Sequence, residues 1–212
     1  MNSELFPNSE LYDTGYCVLF AKGVGPELLL SRVADGGPAN TVGLDRHESE
    51  LIKALGEDID SDDFADLSMA ELEAAGMFDD SGPLLRSGRY EEWSFVVESE
   101  GPYLAGEAVL QSASKGTSAF SAMRSESGST WISYAENGEI LSSFDPLFPD
   151  VDSGSRPAVL DQLAGHREAI ARGERADAYE NALRQIQQRL GCAAPASVDA
   201  ERLTAIRLSG QY

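Results

Sequence analysis

The sequence predicts an α+β fold: an antiparallel β-sheet with a three-strand meander, packed by short N-terminal helices and two to three C-terminal helices. Three observations predict it. Strand-like and helix-like runs are segregated along the chain rather than alternated as β-α-β units. Asn137-Gly138 joins two alternating runs, and a two-residue hairpin turn favours that dipeptide because both central residues need φ > 0. The last third of the chain carries Tyr179, Leu183, Ile186 and Leu190 at helical spacing.

Residues 1–12 are polar and contain a proline, and read as a flexible lead-in. Residues 13–212 are expected to form one domain. The run over 15–21 is apolar and rich in Tyr, Val and Phe, a buried strand. Gly25-Pro26-Glu27 then opens a helix, with proline at a first helical position and an acid beside the positive helix end. Leu28, Leu29, Leu30 and Val33 supply its apolar face, and Gly36-Gly37 stops it. Asp45 with Glu48 and Ser68 with Glu71 have capping-box spacing, and each opens a short helix. Between those helices lies an acidic loop, 57–66. Residues 93–98 read as a strand, 107–112 as a short helix, and 117–125, 129–135 and 139–144 as the meander. The turn Ser153-Gly154-Ser155-Arg156-Pro157 feeds a helical part, 153–212. Its first helix carries Leu160, Leu163, Arg167 and Ile170, and its second lies between Gly173 and Gly191. A third, short helix after Pro195 is expected to contain Leu203 and Ile206.

The composition, 42% apolar and 25% charged, is that of a globular chain and excludes a disordered one. At 212 residues it can bury roughly 70% of its unfolded surface without disulfides or a metal. The charge is the unusual quantity. Thirty-six acids against sixteen bases give −20; residues 1–106 hold 22 acids and 6 bases, residues 107–212 hold 14 and 10. Such a field repels phosphate backbones and anionic lipid, so neither direct nucleic-acid binding nor membrane binding is expected. It attracts a basic protein partner, with an association that salt weakens. Solubility alone is the competing explanation of the acidity. No window is apolar enough for a membrane span, and the first residues lack the basic and apolar regions of a secretion signal. The cytoplasm is therefore the expected compartment.

Few residues point to chemistry. Asp58, Asp60 and Asp62 take positions 1, 3 and 5 of a calcium loop, but Asp63 stands where glycine makes its turn and Met69 where a bidentate Glu closes it. A solvated acidic loop fits better. His47 and His166 have no second histidine at metal spacing, and Cys17 and Cys192 lie far apart without a CxxC. Cys17, in an apolar run, reads as a core residue. Ser114-Lys115-Gly116-Thr117 lacks the upstream glycine of a phosphate loop and leads into a strand. No catalytic residue, metal site or cofactor is expected. Trp93, Trp131 and Tyr134 remain, either as filling between the sheet and the C-terminal helices or as pocket and anchor aromatics.

Several of these segments together resemble a known family. Tyr16-Cys17-Val18-Leu19-Phe20-Ala21-Lys22-Gly23 precedes a Pro-Glu-Leu helix and the strand from Trp93 to Glu98. Ser114-x-Gly116-Thr117, Tyr134-Ala135-x-x-Gly138 and Phe144-x-Pro146 follow. Over residues 15–190 this series resembles an uncharacterised actinobacterial family, a domain of unknown function. The resemblance implies no activity and carries over no site residue.

The leading expectation is a non-enzymatic acidic interaction protein, such as an inhibitor or immunity-type protein covering a basic surface. Asp58, Asp60, Asp62, Asp63 and Asp66 are its candidate contacts, within a stretch of ten acids and no bases from Glu57 to Asp80. The alternative is a small-molecule-binding or enzymatic domain. Its pocket would lie between sheet and C-terminal helices, lined by Trp93, Trp131 and Tyr134, with Arg124 or Arg156 holding an anion. A third reading, a scaffold docked through the C-terminal helices, requires Leu183 and Ile186 to be exposed.

Overall fold

Tyr16 to Ala21 are apolar at consecutive positions, so the strand they form needs cover on both faces. A computed structural model describes residues 5–12, 14–35, 40–54, 68–78, 82–164, 166–173 and 177–209. In it β1 (Gly15–Lys22) is the middle strand of a nine-strand sheet, every neighbouring pair antiparallel. The other strands are β2 (Val42–Leu44), β3 (Leu84–Tyr90), β4 (Trp93–Ser99), β5 (Ser118–Ser125), β6 (Thr130–Glu136), β7 (Glu139–Asp145), β8 (Phe148–Ser153) and β9 (Leu203–Arg207). Their order across the sheet is β2-β9-β3-β4-β1-β5-β6-β7-β8. Asn137 and Gly138, at φ 52° and 85°, make the turn between β6 and β7.

The helices are α1 (Pro26–Val33), α2 (Arg46–Ala54), α3 (Met69–Ala74), α4 (Glu107–Ala113), α5 (Ala158–Ala164), α6 (His166–Ala171) and α7 (Ala178–Leu190). Both capping boxes form. Glu48 N donates to Asp45 Oδ1 while Asp45 N donates to Glu48 Oε2, and Ser68 and Glu71 reciprocate in the same way.

Alternation sorts β1 between two cores. Cys17, Leu19 and Ala21 pack with Leu29, Leu30 and Val33 of α1 and Leu110 of α4. Tyr16, Val18 and Phe20 face Tyr179, Leu183 and Ile186 of α7 across an aromatic layer. Phe20 stacks on Phe120 at 4.8 Å between ring centroids, and Phe6 meets Phe95 at 4.7 Å. Such pairs add about 0.5–1.5 kcal/mol beyond their burial. A third cluster of Leu44, Ile52, Leu72, Met77, Leu84 and Ala205 seats α2 and α3 on the β2–β9 side.

Two expectations are corrected. The third C-terminal helix is absent: Ala196–Ala200 forms one turn of 3-10 helix, and Leu203 and Ile206 belong to β9. Their spacing suits a helix, but as a strand this segment satisfies backbone groups of β2 and β3 at once. Residues 5–12 of the expected flexible lead-in are packed. Phe6 is fully buried, its amide donates to Ala194 O, and its carbonyl accepts from Gln187 Nε2. Tyr12 OH donates to Asp199 Oδ2 at 2.7 Å, and buried Arg86 donates to Asp199 Oδ1. This network fixes the first segment and the 3-10 turn onto β3.

Candidate functional site

Antiparallel pairing brings five strand termini to one end of the sheet. Tyr16 pairs with both Ser99 and Arg124, Leu85 with Glu98, and Leu84 with Arg207. Beyond those termini the strands no longer cover one another, and polar side chains line three clefts of about 570, 460 and 400 Å³. The first two share Tyr16 and Arg124; the second and third share Glu100, Gly101 and Pro102. Through these shared residues the three clefts adjoin one another as one groove region.

At one end of the groove Glu98 is 2% exposed at its residue surface. Its Oε2 accepts from Leu104 N at 3.0 Å. Burial pushes its carboxyl up to about 7, against the opposing pull of the Leu104 and Tyr103 amides and the Lys53 charge. A Cβ at Gly101 would sit 1.7 Å from Glu98 Oε1, so a larger residue there would have to displace the Glu98 carboxyl. Lys53, at the end of α2, is held by Ser99 Oγ and Glu50 Oε2, both at 2.8 Å, and by Glu100 Oε1 at 3.4 Å. Arg207 donates to the carbonyls of Gly82 and Met77. This end therefore holds one ammonium between carboxylates and one carboxyl that exchanges its proton near neutrality.

At the other end the cleft runs between the first segment, the β1 and β5 termini and α7. Arg124 Nη1 meets Glu180 Oε1 at 2.5 Å, and Arg184 Nη1 donates to Asn181 Oδ1 at 3.2 Å. Tyr16, 2% exposed, and Gln187, 1% exposed, form the floor. Burial raises the Tyr16 hydroxyl well above the ordinary tyrosine range and keeps it protonated.

Most sequence-derived candidates among the described residues do not line the groove. Asp58, Asp60, Asp62, Asp63 and Asp66 fall outside the described residues; the chain enters their stretch after Ala54, next to cleft-lining Lys53. Trp93 is buried and its Nε1 donates to Leu190 O, while Tyr134 OH donates to Glu136 Oε1. Both belong to the aromatic layer. Trp131, one strand position from Ile132 and three from Tyr134, faces the other side, with Nε1 on Ser143 Oγ. The structure does not bring the three aromatics into one cleft. Arg124 does line the groove; Arg156 pairs with Glu136. Cys17 and Cys192 are free and buried, and burial followed by the Glu98 charge raises the Cys17 thiol. Among the described residues no group of three or more His, Cys, Asp and Glu could hold a metal, and no helix is long and apolar enough to cross a membrane.

Sequence reasoning missed Glu98, Lys53 and Tyr16 as groove residues. Glu98 closes an apolar strand and gives no local sign of burial; it is enclosed by its sheet partners Cys17 and Leu85 and by the turn over 101–104.

The chain belongs to a family of unknown function, DUF6461, whose model matches residues 5–212. That is the class of family its motifs resemble, matched over more of the chain than residues 15–190. Neither a curated protein nor a solved structure matches it.

Proposed function

We propose that this family member is a non-enzymatic acidic interaction protein that covers a basic surface of a cytoplasmic protein partner, in the manner of an inhibitor or immunity protein. One observation carries the reading: most bases among the described residues pair with the chain's own acids or carbonyls, so the uncompensated charge is anionic. Arg46, Arg86 and Arg202 turn onto Asp199 and Glu48. Lys53, Arg124, Arg156 and Arg167 meet acids, and Arg32 and Arg207 donate to backbone carbonyls. Against these, the chain carries −20, most of it in residues 1–106. The same field disfavours direct contact with nucleic acid. Complementary charge chiefly supplies association rate and choice of partner.

The ten acids and no bases from Glu57 to Asp80 support a contact surface there. Asp58, Asp60, Asp62, Asp63 and Asp66 replaced by Asn or Ser tests this. The variant is expected to lose a basic protein that the unmodified chain captures at low salt, with an unchanged circular dichroism spectrum. Equal capture by both proteins contradicts the reading. A scaffold docked through α7 gains no support, because Leu183 and Ile186 are buried.

A further inference from the structure

The cleft between α7 and the first segment has a chemistry that surface acidity does not explain. Its volume, about 570 Å³, lies within the range of small-ligand sites. Its lining charges are of both signs, two arginines among three acids. Arg124 sits on Glu180, and Arg184 sits on the Asn181 carboxamide. An anion drawn to either guanidinium meets Glu180, Asp177 and Glu10; a cation drawn to those acids meets two arginines. A neutral ligand meets no such conflict.

What the wall offers instead is a dense alternation of donors and acceptors. A guanidinium has five N–H donors and a carboxylate about four lone-pair sites. The Arg124–Glu180 contact uses one of each, so both groups keep unfilled capacity. The pair is part-exposed, 40% and 32%, and such pairs contribute only about 0–1 kcal/mol to stability. A ligand can therefore share it at small cost. Asn181 receives Arg184 on its oxygen and keeps its NH2 free to donate. Gln187, which also lines the cleft, spends an N–H on Phe6 O, and its carboxamide carries an acceptor oxygen besides. Planar groups that pair a donor with an acceptor suit adjacent hydroxyls, since each hydroxyl both donates and accepts. Leu5 and Leu183 supply the small apolar surface that a sugar C–H face needs.

We propose that this cleft binds a neutral, hydroxyl-rich small molecule, a mono- or disaccharide or a polyol of that size. The site is independent of the acidic-surface reading, because a neutral ligand is indifferent to net charge and its affinity does not fall with salt.

Ligand-observed NMR and thermal shift with glucose, maltose, trehalose, cellobiose and inositol test it on the full chain, with glutamate and putrescine as charged comparators. The expected result is saturable binding of at least one neutral probe, with a rise in Tm that grows with its concentration and persists at high salt. Asn181→Ala and Arg184→Ala, both on the solvent side of α7, are expected to weaken that probe about tenfold or more, without lowering the Tm of the free protein. Absence of binding by every neutral probe overturns the proposal. So does binding that both variants retain, or preferential binding of glutamate or putrescine.

Discussion

The aromatic layer beneath α7 and the polar end of the sheet are made by the same strands, only a few residues apart. β1 gives Phe20 to the layer and Tyr16 to the groove; β4 gives Phe95 and Glu98; β5 gives Phe120 and Arg124. Toward the middle, each strand is covered on both faces and its side chains are chosen for volume. At the termini cover runs out, and hydrogen-bonding groups replace apolar ones. The difference teaches where function can be varied: exposed groove side chains such as Asn181 and Arg184 can change without repacking the interior, whereas buried ones such as Tyr16 and Glu98 belong to the interior as well.

Substitutions should separate the two regions, and the interior should dominate stability. Phe120→Ala opens a hole against Phe20 and Trp93. It is expected to cost about 3–5 kcal/mol in urea unfolding; a cost near zero would mean that the layer is not packed as described.

Glu98 lies where the regions meet, and its effect depends on pH. Its folded carboxyl is raised to about 7 from an ordinary value of 4.5, so the folded state holds the proton more tightly than the unfolded chain. The group therefore costs nothing below the unfolded value. Stability falls as pH rises through the window from 4.5 to about 7, and the penalty is complete above it. Glu98→Gln is expected to be more stable than the unmodified chain at about pH 8, by up to about 3 kcal/mol, and to lose that advantage near about pH 5. Parallel stability curves for the two proteins across this window would show that the carboxyl is not buried as described.

Arg124→Ala belongs to the groove alone. With its partner part-exposed, its effect on stability should stay within about 1 kcal/mol, measured by the same unfolding experiment. A loss of several kcal/mol would move Arg124 from the binding wall to the structural frame.

The interior was the more legible region. The apolar run of β1, the Asn137-Gly138 turn and the two capping boxes are local signals, and each is found where the sequence places it. β3 was not legible, because Leu84-Leu85-Arg86-Ser87-Gly88 mixes a charge and a glycine into a central strand. Arg86 is tolerated there only because Asp199 arrives from 113 positions later. β9 was misread because Leu203 and Ile206 fit helical spacing equally well, and only its two neighbouring strands decide the matter. The groove was illegible for the same reason: Lys53, Glu98 and Arg207 are distant in sequence and meet through strand register.

The most direct test of the account is the salt dependence of the dissociation constant between this protein and the basic partner proposed for it. The account predicts steep weakening as salt rises, and a flattened slope when Asp58, Asp60, Asp62, Asp63 and Asp66 are neutralised. Affinity that is the same at low and high salt, with or without those five carboxylates, would contradict it.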